Sequence, residues 1–149
     1  MRFLFLLLTI FFISPVFSAT DDWTAYGKGS GGGHFSKADE ITPKNVGKLE
    51  KVWVHRSGDY KGGANSAGVK GGEYQTSFQA TPLLVDDTLF YCTSYNRVFA
   101  LNPETGEEKW VFDPKLKKDG RAILACRGLS SWKDETKSSS EKCHHRIMG

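Results

Sequence analysis

The chain has 149 residues, a quarter of them charged, with 20 lysines and arginines against 17 aspartates and glutamates. This near-balance, with both signs interspersed, gives no electrostatic footprint for nucleic acid, and DNA and RNA are excluded as expected partners. The densest basic cluster, Lys115, Lys117 and Lys118, is accounted for by a solvated turn.

The first element is a targeting segment. Met1-Arg2 is a short basic start, Phe3 to Ile13 is unbroken apolar sequence, and Ser14-Pro15 ends it. Small residues at Ser18 and Ala19 complete the layout of a secretory signal peptide over residues 1–18. The apolar run falls short of the about 20 residues that a spanning helix needs, so cleavage is expected rather than anchoring. Export places the chain in the periplasm or outside the cell. Residues 19–78 then read as a lead-in and residues 79–149 as the packed part.

Within the lead-in, Gly27 to Gly33 is glycine-dense but lacks the G-x-x-x-x-G-K order of a phosphate loop, and it reads as a flexible surface loop. Thr42-Pro43 predicts a short helix, with Thr42 as N-cap and Pro43 at the first helical position. Gly47 limits it. Leu49 to Arg56 then predicts a strand, with Val52 and Val54 on one face and Lys51, Trp53 and His55 on the other. Gly58 to Gly72 carries little that could pack and reads as a long loop.

Four apolar runs follow in close succession: Thr81–Val85, Thr88–Thr93, Arg97–Leu101 and Glu108–Phe112. Turn-formers close each one: Asp86-Asp87, Ser94-Tyr95-Asn96, Asn102-Pro103-Glu104-Thr105-Gly106 and Asp113-Pro114. The pattern predicts an all-β, four-stranded antiparallel meander. A lone sheet of this kind exposes two apolar faces, and such sheets are stable as blades stacked around an axis. Only one copy of the meander is present, whereas a propeller needs at least about four blades. The chain therefore reads as the first blade of a ring and the start of the next. From Lys115 onward the sequence is polar and irregular.

Three cysteines follow an export signal, so any of three pairings is chemically open. Cys92 lies in a strand-like run and is expected as a buried thiol. Cys126 and Cys143 lie in irregular sequence and are expected to pair, closing a loop worth about 3 kcal/mol. Cys143-His144-His145 has a metal-ligand composition but no further ligand at the right spacing, and Ser130-Ser131 lacks the G-x-S-x-G context of a nucleophile.

A set of ordered motifs points to a known family. These are Asp22-Trp23-Thr24-Ala25-Tyr26-Gly27, Ile41-Thr42-Pro43-Lys44-Asn45-Val46, Ala80-Thr81-Pro82-Leu83-Leu84-Val85 and the segment from Ala100-Leu101-Asn102-Pro103 to Trp110. Together they resemble the amino-terminal part of quinoprotein alcohol and sugar dehydrogenases, with Trp110 similar to the tryptophan that docks one blade on the next. Cys126-Arg127-Gly128, with Cys143 and Arg146-Ile147, resembles the membrane-bound glucose and quinate dehydrogenase branch. The resemblance implies an eight-bladed propeller holding pyrroloquinoline quinone beside calcium or magnesium. It implies oxidation of a sugar, polyol or cyclic alcohol, with an aspartate from later blades taking the hydroxyl proton and a hydride passing to the quinone. Electrons would leave to ubiquinone or a cytochrome. The membrane-bound branch also implies peripheral association with the outer face of the inner membrane.

Two positions fall where the family contacts its cofactor. Arg127 matches an arginine that pairs with a cofactor carboxylate, and Gln79 stands where the family carries glutamate. Ile123 stands where relatives place a histidine or a vicinal disulfide over the cofactor ring. No catalytic residue and no metal ligand fall within these 149 residues. The competing expectations are a non-enzymatic periplasmic propeller module and an inactive truncated chain, because propellers serve many roles.

Overall fold

The structure is a computed structural model that describes residues 22–29, 31–59, 76–116 and 125–149. The signal peptide, most of the Gly58–Gly72 loop and Ile123 lie outside the described residues. The four apolar runs form β1 (Leu83–Val85), β2 (Thr88–Cys92), β3 (Val98–Leu101) and β4 (Glu108–Phe112), paired in that order in one antiparallel sheet. Register puts Leu83, Phe90, Ala100 and Trp110 in one cross-strand row, and Tyr91, Phe99 and Val111 in another. The rows face opposite sides of the sheet.

The turns follow from their residues. Asp86 and Asp87 both have φ near +50°, as a two-residue hairpin of the right twist requires, and aspartate tolerates that region. In the third turn Asn102 Oδ1 accepts from the backbone N–H groups of Glu104 (2.8 Å) and Thr105 (3.1 Å). Gly106 then reverses the chain at φ +75° and donates its N–H to Asn102 O.

Strands β1 to β3 are covered on both faces, whereas every residue of β4 is exposed. On the Phe90 face, Leu83, Val85, Cys92, Ala80 and Leu129 form a buried cluster, with Trp23, Cys126 and Ile147 packed against it. Ile147 belongs to a second sheet, the hairpin β5 (Ser130–Lys133) and β6 (His145–Met148). That hairpin is missing from the sequence reading, because Ser130, Ser131, Lys133 and His145 give its strands no apolar alternation. The Asp22–Thr24 segment joins the two sheets. Trp23 exchanges two backbone hydrogen bonds with Leu84, and Thr24 O accepts from the Ser131 N–H at 2.7 Å.

On the Tyr91 face, Tyr91, Phe99 and Leu101 are buried beneath Trp53 and Leu89. Trp53 belongs to the segment expected as a strand. Leu49 to Arg56 is extended but joins no ladder among the described residues. Of the two faces read from the sequence, the valine face is the outer one. Val52 is 83% and Val54 53% exposed, whereas Trp53, His55 and Ser57 turn inward. The inward choice follows from bonding: Trp53 Nε1 donates to Pro103 O at 3.0 Å, and His55 and Ser57 meet polar partners on the sheet. The predicted helix shrinks to a single 3-10 turn, Val46–Lys48. Thr42 does not cap it. Instead Asn45 Oδ1 accepts from the Thr42 N–H at 2.6 Å, tightening a preceding turn.

The expected Cys126–Cys143 disulfide is corrected by the structure, which joins Cys92 to Cys126 with Cα atoms 5.9 Å apart. Cys143 is free and exposed in the turn before β6. Cys92 ends β2 with its side chain on the Phe90 face, where Cys126 packs against the same buried cluster. Strand parity therefore chose the partner, and loop character did not.

Candidate cofactor-facing site and interlayer clusters

The two residues expected to meet a cofactor sit on neighbouring segments. A parallel bridge pairs Thr81 with Gly128, so the chain leaving Gln79-Ala80 runs alongside the chain leaving Cys126-Arg127. The Cys92–Cys126 disulfide ties the second segment to the end of β2, and buried Leu129 anchors its other side. Arg127 is held at its backbone and exposed at its side chain, and no hydrogen bond or ion pair engages its guanidinium among the described residues. It borders an open depression of about 750 Å³ together with Ala25, Tyr26, Leu129, Ser130 and Met148. Gln79 does not line that depression. It is exposed, and its Nε2 donates to Ser77 Oγ at 2.9 Å. The structure thus brings the two segments together without converging the two side chains. A free planar guanidinium with no carboxylate in contact, beside an aromatic ring and apolar walls, suits a flat ligand that carries carboxylates. Arg127, and not Gln79, borders the depression where such a ligand would fit.

A second cluster was not foreseen from sequence. A cavity of about 360 Å³ lies between the extended segment and the sheet, bordered by Trp53, His55, Asp59, Tyr91, Thr93 and Leu101 among others. His55 Nε2 lies 2.8 Å from Glu108 Oε1, and its Nδ1 meets the Tyr91 hydroxyl. The neutral Nε2–H tautomer satisfies both contacts, donating to Glu108 and accepting the phenolic proton. Arg97 Nη1 donates to Ser57 O and to the buried Asp59 Oδ1, both at 2.9 Å. Its guanidinium also lies over the Phe99 ring, 4.7 Å from the centroid. These contacts act as a polar seam that fixes the segment on the sheet.

Burial, helped by the Glu108 carboxylate, pushes the Tyr91 phenol up to about 12. The folded state therefore holds this proton after an unfolded chain would release it. The resulting stability is present below pH about 10 and is lost as pH rises through about 12. Ultraviolet titration of phenolate absorbance is expected to show one tyrosine ionising well after the exposed ones, and Tyr91→Phe is expected to abolish that late step. A late step that persists in Tyr91→Phe would assign it elsewhere.

A third cluster ties the hairpin to the meander. Ser131 Oγ lies 2.8 Å from His145 Nε2, and Asp86 Oδ2 lies 3.6 Å from His145 Nδ1. The residue types resemble a hydrolytic triad, but Lys133 Nζ holds Asp86 at 2.7 Å and the Ser131 N–H is already bonded to Thr24 O. With the Ser131 amide occupied and Asp86 held by Lys133, the arrangement works as a strut between two sheets.

Comparison with known proteins fits this geometry. The sequence family described as glucose/ethanol/alcohol dehydrogenase, beta-propeller domain (PQQ) matches residues 23–149. The quinoprotein glucose dehydrogenase of Escherichia coli (strain K12) is 38% identical over 141 residues, covering 91% of this chain and 17% of that protein. Quinoprotein glucose dehydrogenase A of Acinetobacter calcoaceticus is 34% identical over 142 residues, covering 87% and 17%. The quinate/shikimate dehydrogenase (quinone) of Acinetobacter baylyi is 34% identical over 109 residues, covering 73% and 12%. The chain therefore spans about a sixth of the length of the two glucose dehydrogenases. With a four-stranded meander whose first three strands are covered on both faces and a family match across nearly all of the described residues, the chain belongs to the PQQ dehydrogenase β-propeller family.

Proposed function

We propose that this chain is the amino-terminal part of a pyrroloquinoline-quinone-dependent dehydrogenase that oxidises a sugar, polyol or cyclic alcohol and passes electrons to ubiquinone or a cytochrome. The observation that carries the reading is the family match across residues 23–149 combined with an anchored, unengaged Arg127. When bound, the quinone would accept a hydride and a calcium or magnesium ion would polarise its carbonyl. The contribution of this chain is narrower. Arg127 would hold a cofactor carboxylate in bidentate fashion, Tyr26 and Leu129 would exclude water from its edge, and the disulfide would keep the Arg127 segment in place. Gln79 lacks the charge of a carboxylate and can offer only hydrogen bonds. On this reading the substrate base and the metal ligands would come from later blades of the propeller. Export by residues 1–18 to the periplasm, at the outer face of the inner membrane, accords with a disulfide between Cys92 and Cys126.

Calorimetric titration of the purified chain with the quinone and calcium tests the reading. Weak binding is expected, reduced about tenfold to a hundredfold by Arg127→Ala, because a charge-assisted hydrogen bond is worth about 1.5–3 kcal/mol. Arg127→Lys is expected to lose less than Arg127→Ala. Turnover is expected only when the later blades are present. Dye-linked alcohol oxidation by the 149-residue chain alone, or binding indifferent to Arg127, would overturn the assignment.

A further inference from the structure

We infer that the cavity between the extended segment and the meander binds a small neutral aromatic alcohol, its ring at the Trp53 end and its hydroxyl at the Asp59 end. The cavity is a slot between two rows of side chains. Strand alternation puts Leu89, Tyr91 and Thr93 on one face of β2 and its continuation. Trp53, His55, Ser57 and Asp59 alternate in the same way along the extended segment, and both rows border the cavity. The rows are matched in order. Trp53 and Leu89 pack against one apolar cluster, and His55 meets the Tyr91 hydroxyl. Asp59 meets Arg97, whose carbonyl accepts the Thr93 N–H at 2.9 Å. At about 3.3 Å per residue the slot runs about 13 Å from Leu89 to Thr93, and its polarity rises along that length.

The polar end is unfinished. Thr93 is 1% and Asp59 7% exposed, and neither Thr93 Oγ1 nor Asp59 Oδ2 has a hydrogen-bond partner among the described residues. Two buried oxygens left unpaired cost free energy, which a ligand able to pair them recovers. Their chemistry selects that ligand. A carboxylate oxygen only accepts, whereas a threonine hydroxyl donates as well as accepts. One ligand hydroxyl offers a donor to Asp59 and a lone pair to Thr93, which a carbonyl or an ether cannot do. Charge disfavours an ammonium, because Arg97 Nη1 already holds Asp59 Oδ1 at 2.9 Å and a second cation would oppose the guanidinium. The Asp59 carboxylate disfavours an anion in turn. The walls set the rest of the ligand: Trp53, Phe78 and Tyr91 are aromatic, and Leu89 and Leu101 are aliphatic. A volume of about 360 Å³ suits one substituted ring. Neither Arg127 nor Gln79 borders this cavity, so the inference is independent of quinone binding.

The test is heteronuclear NMR of the 149-residue chain, titrated with para-ethylphenol and separately with para-ethyltoluene. The two probes differ only by a hydroxyl against a methyl. Para-ethylphenol is expected to shift the Trp53 indole N–H resonance and to bind at least about tenfold more tightly, because the methyl leaves both oxygens unpaired. Thr93→Val keeps the side-chain shape and removes the unpaired hydroxyl, so the variant is expected to unfold at or above the parent's temperature. It is expected to weaken para-ethylphenol about fivefold or more and to leave para-ethyltoluene within about twofold. The comparison of probes on the unsubstituted chain stands whether or not the variant folds. Equal affinity for the two probes, an unmoved Trp53 resonance, or equal effects of Thr93→Val on both probes would each overturn the inference.

Discussion

Gly106→Ala is expected to destabilise the chain by about 2–4 kcal/mol in urea unfolding, a large effect for a surface turn. Two costs combine. At φ +75° any residue with a Cβ is strained by about 1–2 kcal/mol. The new methyl would also stand 2.6 Å from Trp53 Cε3 and 2.7 Å from Trp53 Cδ2, far inside contact distance. The indole must then withdraw, losing its bond to Pro103 O, a net of about 1 kcal/mol, along with its packing against Leu101 and Phe99. A double-mutant cycle separates the parts. In a Trp53→Ala background only the backbone cost should remain, so Gly106→Ala is expected to fall to about 1–2 kcal/mol there. Equal costs in both backgrounds would mean that Trp53 does not dock on this turn in solution.

Loss of the Cys92–Cys126 disulfide is expected to cost about 4 kcal/mol. The bridge spans 34 residues, and closing a loop of that length constrains the unfolded chain by about this amount in the chain-entropy account. Cys92→Ser adds the burden of a hydroxyl at a position that is 1% exposed, so Cys126→Ser is the cleaner variant. Cys143→Ser is expected to change stability by less than about 0.5 kcal/mol, because that thiol is exposed and unbridged. Non-reducing peptide mapping provides an independent check. A Cys126–Cys143 peptide, or equal destabilisation by Cys126→Ser and Cys143→Ser, would contradict the structure. The bridge also bears on function: it fixes the segment one residue before Arg127, so reduction is expected to weaken quinone binding along with stability.

The meander was legible because its information is local. Short apolar runs broken by Asp86-Asp87, Asn96 and Asn102-Pro103 fix strand number, order and antiparallel sense within a few residues of each turn. The expectation that Arg127 and Gln79 face a cofactor comes only from the family resemblance. Nothing in their own neighbourhoods distinguishes a ligand-facing arginine from an exposed one, and the structure adds the anchoring of the segment that carries Arg127.

The sequence by itself determined an all-β blade, its four strands, its turns and its family. Tertiary structure alone decided which face of Leu49–Arg56 turns inward, which cysteines pair, and that Ser130–Lys133 and His145–Met148 are strands. The reason is the same in each case. Hydrophobic periodicity predicts burial only when apolar contact is the strongest term available. Here Trp53 and His55 find directed hydrogen bonds on the sheet that Val52 and Val54 cannot make. Cys92 likewise meets Cys126 through strand parity, across a separation that no local rule spans.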